Sequence, residues 1–404
     1  MPLLAHSVAD LAASPSVRAC LDWFRRERAW INEQHLKLCR IPAPTFFEQK
    51  RAEWMADRFR SLGWEAKLDR AGNVVASLPG LRDAASVAVT AHLDTVLAPR
   101  TPEEIKITGD GGMLGPGVSD NGAGLAALLA LAAAWRTTRP MDHSHLAPLL
   151  VANVGEEGEG NLSGMRYLCR AANGARLRAF VVLDGPNTDH ITCQALASRR
   201  FDVTITGPGG HSWSDHGIGN PIHALSRAVT IFISQAADGD GPKSSYNFGV
   251  IEGGSSINSI PSEARAKVDL RSESADRIER MAALLATSVE RAIEAENGRS
   301  SGGRVSGRVK EIGSRPGGAL AEDSPILECL RAVDAHLGIR SHLDCSSTDA
   351  NIPLSLGLPA VCIGAGGQGG GAHTAAEWFQ PEARELGLRR VLLTLCLLLG
   401  DESL

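Results

Sequence analysis

Tyrosine is almost missing from this chain of 404 residues: there are two, and aromatic residues of all kinds make up 4%. Glycine, at 43 residues, points instead to many tight turns. An excess of positive charge is also lacking. Forty-one Lys and Arg face 46 Asp and Glu, a net charge of −5 with both signs interspersed, so no basic stripe is present and no nucleic-acid partner is expected. Long apolar runs are scarce too. The longest near the end, residues 391–399, is too short to cross a bilayer and reads as a buried helix, so no membrane partner is expected. The opening M-P-L-L-A-H-S-V-A-D has no basic region followed by an apolar core, and no signal peptide is expected. Eight cysteines form no C-x-x-C pair, which excludes a zinc ribbon and favours reduced core thiols in a cytoplasmic protein. No G-x-S-x-G elbow and no Walker-type loop occur, so neither a serine nucleophile nor a P-loop is on offer.

What is present concentrates in one kind of place. A chain of this length exceeds what one core usually holds, so two domains are expected. The stretch L-V-A-N-V-G-E-E-G-E-G is an apolar run of strand character that ends at Gly155 and releases adjacent carboxylates, Glu156 and Glu157. Neighbouring side chains diverge in an extended backbone, so one acid can bind a metal while the other acts as a base. The strand S-V-A-V-T-A ends in His92-Leu93-Asp94, whose first and third positions point the same way, and a ligating imidazole needs an acceptor such as Asp94. G-P-G-V-S-D-N-G-A-G places Asp120 just before an apolar helix over residues 125–135, where an N-cap is expected, but flanking glycines leave its carboxylate open. The strand A-F-V-V-L-D-G delivers Asp184. Carboxyl ends of strands line the ligand crevice in open α/β sheets, so these residues are expected to converge.

Residues 198–312 read as a different unit in the order strand, helix, strand, strand, helix, strand, the ferredoxin-like pattern. It carries G-P-G-G-H-S with His211, S-I-N-S-I-P with Asn258, and D-L-R with Arg271. After R-P-G-G the α/β pattern resumes, so an insertion is expected to interrupt a catalytic domain formed by residues 1–197 and 313–404. Gly364, Gly366 and Gly369 spell G-x-G-x-x-G after a strand, but no helix opens at the third glycine. A loop that returns His373 over the sheet explains them better than a dinucleotide site. His143, His145 and His216 read as surface residues.

Two imidazoles, His92 and His373, and three carboxylates, Asp120, Glu157 and Asp184, are too many ligands for one tetrahedral zinc with an open position. They suit two cations if one carboxylate bridges. Mixed imidazole and carboxylate donors favour Zn²⁺, with Co²⁺ or Mn²⁺ as substitutes, and Glu156 fits a general base acting on a shared water.

The set H-L-D-T-V, G-V-S-D-N-G-A-G, G-E-E-G-E-G, L-D-G and A-H-T-A-A-E-W, in this order and over nearly the whole chain, resembles the dinuclear-zinc peptidase family of peptidase T, carboxypeptidase G and acetylornithine deacetylase. The resemblance implies an α/β catalytic domain with an inserted lid and two divalent ions per chain. Asp120 would bridge them, Glu157 and His373 completing one site, His92 and Asp184 the other, with Asp94 orienting His92 and Glu156 as the base. It further implies that His211 polarises the scissile carbonyl from a partner subunit of a homodimer, while Asn258 and Arg271 hold the substrate. The expected activity is hydrolysis of an amide bond in small peptides or N-acyl amino acids. Aminopeptidase, carboxypeptidase, dipeptidase and deacylase stay open. The contrary hypothesis is a catalytically silent metal-binding relative, and the presence of Glu156 argues against it.

Overall fold

The computed structural model describes residues 2–141, 146–170, 176–236 and 241–401, and of residues 2–7 the backbone alone. The chain divides into two compact units. One combines Met1–Ala195 with Ala319–Leu404, and the other is Leu196–Gly318.

The first unit is an α/β fold built on a mixed sheet. Its strands lie in the order Glu65–Leu68, Val74–Ser77, Ala147–Asn153, Ser86–His92, Leu177–Leu183, Ala360–Ile363 and His190–Ala195, with His342–Ser346 beside the last. The strands Ala147–Asn153, Ser86–His92, Leu177–Leu183 and Ala360–Ile363 run parallel to their neighbours in this block. The first two have every residue buried, as parallel strands covered on both faces must. Their carboxyl ends therefore open on one edge, and residues 92, 153, 183 and 363 mark it.

The helix Gly122–Thr138 shows why composition follows position. It is buried all round from Gly122 to Trp135, so alanine, leucine and glycine occupy every face and no polar stripe exists. The apolar run near the end lies in the buried helix Arg384–Leu399. Among the described residues no helix is long and apolar enough to cross a membrane. Residues 16–39, one helical run by spacing, are two helices, Pro15–Arg26 and Arg28–Cys39, joined at Glu27. All eight cysteines are free thiols, six of them buried.

The second unit has a four-stranded antiparallel sheet in the order Ser244–Gly253, Glu263–Ser272, Ala197–Thr206, Ser306–Arg315. The helices Pro221–Gln235 and Ala275–Arg299 cover one face, and Ala264, Ala266, Val268 and Leu270 alternate into that core. The last strand runs on to Arg315, and the unit spans Leu196–Gly318 where residues 198–312 were expected.

Candidate metal and catalytic centre

Four loops at the carboxyl edge of the first unit's sheet bring the candidate ligands together. His92 closes its strand, and its ring is buried. Nδ1 lies 2.9 Å from the carbonyl oxygen of Asp94, an acceptor only, so Nδ1 carries a proton. The nearest partner is thus the backbone of Asp94, its carboxylate standing 3.5 Å away. That carboxylate is engaged elsewhere. It accepts N–H bonds from Glu156 at 3.0 Å and Glu157 at 2.9 Å, and the hydroxyl of Thr45 at 3.0 Å. Burial would raise its pKa, but His92 and these two N–H groups hold it below the usual carboxylate range. Asp94 therefore ties the strand that carries His92 to the turn that carries both glutamates.

That turn begins at Gly155, where φ is +64° and a Cβ would meet Ser163 Oγ, so glycine is needed for the chain to leave the strand in this direction. Glu156 and Glu157 follow, both buried. Asp120 ends the loop before the helix Gly122–Thr138, but it does not cap that helix. Asn121 does, accepting the N–H of Gly124 at 3.1 Å. The Asp120 side chain is left free to face the site. Asp184 follows the strand Leu177–Leu183. His373, at φ +64°, reaches back from the glycine-rich loop that follows the strand Ala360–Ile363. The next helix begins only at Arg384, so no dinucleotide-binding turn is formed.

Three groups of side chains place ligand atoms within 4.8 Å of one another: His92, Asp120 and Asp184; Asp120, Glu157 and His373; and His92, Glu156 and Glu157. Asp120 is common to the first two. His92 Nε2 lies 3.0 Å from Asp120 Oδ1 and 3.8 Å from Asp184 Oδ1. His373 Nε2 lies 3.1 Å from both Asp120 Oδ2 and Glu157 Oε1. Asp120 Oδ1 is buried with no hydrogen-bond donor. Nitrogen and oxygen lone pairs facing each other at these distances need something positive between them, either a proton or a cation. Burial opposes charging His92, yet Asp120, Asp184 and Asp94 together hold its pKa well above the imidazole range. The hydrogen bond to Asp120 pushes His373 to about 9, and burial pushes Glu157 to about 7. A divalent cation displaces such protons, and the donor set, two imidazoles and three carboxylates, fits two of them.

Glu377 and Asp349 went unassigned by sequence reasoning. Glu377, four residues after His373, is buried and accepts the N–H groups of Gly117, Ser119 and Asp120 at 2.7, 2.6 and 2.7 Å. It folds the Asp120 loop around a carboxylate. Asp349, in S-S-T-D-A-N, is fully buried against the side-chain amide of Asn153, and burial pushes its pKa to about 7. An isolated acid in a stretch of small residues was the available signal for each.

His211, Asn258 and Arg271 lie in the second unit and are not all together. His211 and Asn258 are neighbours: the strand Gly210–His211 pairs with Ser259–Ile260, and Ser212 N–H donates to Asn258 O at 3.0 Å. His211 is exposed, and its Nδ1 accepts N–H bonds from Trp213 and Ser214, which leaves the proton on Nε2. Arg271 sits at the far end of the strand Glu263–Ser272, eight positions from Glu263 or about 26 Å at strand rise, paired with Asp269 at 2.8 Å. His216 is exposed and joins no candidate cluster among the described residues, while His143 and His145 lie outside them.

Residues 88–396 match the model of Peptidase family M20/M25/M40. A curated relative, the uncharacterized protein YqjE of Bacillus subtilis, is 24% identical over 83% of this chain and 89% of its own length. The succinyl-diaminopimelate desuccinylase of Ruegeria pomeroyi is 27% identical over 40% of this chain and 44% of its own. Among solved structures, a tripeptidase of Staphylococcus aureus superposes with a TM-score of 0.75 at 20% identity, covering 92% of this chain and 98% of its own. Fold, ligand cluster and family match together define a hydrolase of the metallopeptidase and amidohydrolase class. The chain belongs to Peptidase family M20/M25/M40.

Proposed function

We propose that this protein hydrolyses the amide bond of a small peptide or an N-acyl amino acid, with Glu156 as general base. The observation that carries the reading is Asp120, shared by two ligand groups beside a buried Glu156. His92, Asp120 and Asp184 would hold one divalent cation and Asp120, Glu157 and His373 a second, and such a pair, Zn²⁺ by its donors, supplies Lewis acidity and lowers the pKa of the attacking water. The Glu156 carboxylate takes a proton from that water as its oxygen bonds to the carbonyl carbon. The same proton passes to the leaving nitrogen as the carbon–nitrogen bond breaks. Asp94 holds this geometry by binding the N–H groups of Glu156 and Glu157.

The lid residues extend the reading. Nε2–H of His211 is a free donor suited to the carbonyl oxygen as negative charge builds there. Arg271 suits a substrate carboxylate. Because Arg271 stands at the Ser272 end of its strand, while the short pair that carries His211 lies beyond the other, Glu263 end, a single lid serves both to one substrate poorly. A homodimer in which each lid gives Arg271 to one site and His211 with Asn258 to the other resolves this. The range from peptide to acyl amino acid reflects relatives named as a tripeptidase and a desuccinylase.

The test replaces the two glutamates in turn. Glu156→Gln keeps two ions by elemental analysis and loses ~10²–10⁴ in kcat on whichever di-, tripeptide or N-acyl substrate the wild type cleaves. Glu157→Gln instead lowers ion occupancy. Full activity at one ion per chain, or loss of metal from Glu156→Gln alone, refutes the assignment.

A further inference from the structure

The loop over residues 41–48 is fastened to the candidate centre on both sides. Thr45 donates to Asp94 Oδ2 at 3.0 Å, and three residues on, Glu48 Oε1 accepts the N–H of Gly155 at 3.1 Å. Thr95 N–H donates to Ala43 O at 3.0 Å, which sets this loop along the segment that follows His92. Between the two anchors stand Phe46 and Phe47, 63% and 73% exposed, and the adjoining segment adds Val96 and Leu97, 45% and 42% exposed. In a chain with 4% aromatic residues, two phenylalanines side by side in water beside the glutamate turn are conspicuous. Phe46 also has φ +76°, a left-handed conformation that a bulky side chain resists and glycine takes freely. Strain of this kind persists where the surroundings impose it and clusters at ligand sites. Here the imposing contacts are the bonds to Asp94 and Gly155, the residues that support Glu156.

We infer that Phe46 and Phe47, with Val96 and Leu97, form an apolar wall of the substrate site that selects substrates bearing an apolar side chain or acyl group next to the scissile amide. This rests on the hydrolase reading and narrows its substrate class. The exposed ring surface of the wall is covered when an apolar group packs on it.

Binding separates this from catalysis. In zinc-loaded Glu156→Gln protein, dissociation constants are measured by calorimetry for Xaa-Gly and Gly-Xaa dipeptides, with Xaa running from alanine through 2-aminobutyrate and norvaline to norleucine. Affinity should rise about fourfold per methylene, or ~60-fold over the series, on one of the two sides. Phe46→Gly, which relieves the backbone and should fold at least as well, and Phe47→Ser should each flatten that rise to under about tenfold. Equal losses for the alanine and norleucine members, or no rise on either side in the parent, overturn the wall. A wild type that binds the series with this rise but cleaves neither it nor the matching tripeptides and N-acyl amino acids refutes the hydrolase reading instead.

Discussion

Glu377→Gln isolates the contribution of a carboxylate that touches neither substrate nor cation. Glu377 Oε1 accepts from Ser119 and Asp120 and Oε2 from Gly117, all between 2.6 and 2.7 Å, the bonds from Gly117 and Ser119 buried and that from Asp120 half-buried. An amide offers one acceptor oxygen, so whichever way it turns, at least one buried N–H meets an NH₂ group. A hydrogen bond to a charged acceptor is worth about 1.5–3 kcal/mol, and a buried donor left unmatched costs about 1–3 kcal/mol. Burial raises the pKa of Glu377 and offsets part of the first figure, so a net loss of ~2–4 kcal/mol is expected. For a unit of this size, at roughly 2 °C per kcal/mol, that lowers Tm by ~4–8 °C. Asp120 rides on the loosened loop, so ion occupancy should also fall at limiting zinc. Calorimetric unfolding and elemental analysis read both effects. A Tm within about 2 °C of wild type with both ions retained would refute the claim that Glu377 builds the Asp120 loop.

Three further outcomes follow from the same geometry. Chelator-stripped protein should release protons on taking up zinc at pH 8, because His373, at about 9, is still charged there. Zinc affinity should therefore climb with pH through about 9; calorimetry in two buffers of different ionisation enthalpy checks this, and zero net protons counts against the cluster. Arg271→Ala should raise KM for substrates with a free carboxylate by ~10–100-fold more than for their amides, while equal losses would make its pair with Asp269 structural. Mixing inactive His211→Ala with inactive Glu156→Gln should restore activity if His211 serves the partner's site, and two dead sites would place its action within its own chain.

The classes of element and their order are written in local patterns of the chain. Residues 122–135 carry apolar side chains at every position, and burial on all sides is the only environment that suits them. Strand runs that end in His92, Glu156 or Asp184 carry their chemistry with them, because a strand's carboxyl end is a fixed place in a parallel sheet. The βαββαβ order was legible for the same local reason, alternation of period two against helical period.

Contacts between distant segments emerge only on folding. Asp120 reads as a helix cap from its neighbours, yet Asn121 caps and Asp120 is released. Asp94 reads as the acceptor for His92, yet its carbonyl fills that place and its carboxylate spans 62 and 63 residues to hold the glutamate turn. Glu377 reaches 257 residues back to shape the Asp120 loop. Local spacing carries no trace of such pairings, since a carboxylate is equally at home in water, on a cation or on three N–H groups. Which of these it meets depends on what the fold packs around it.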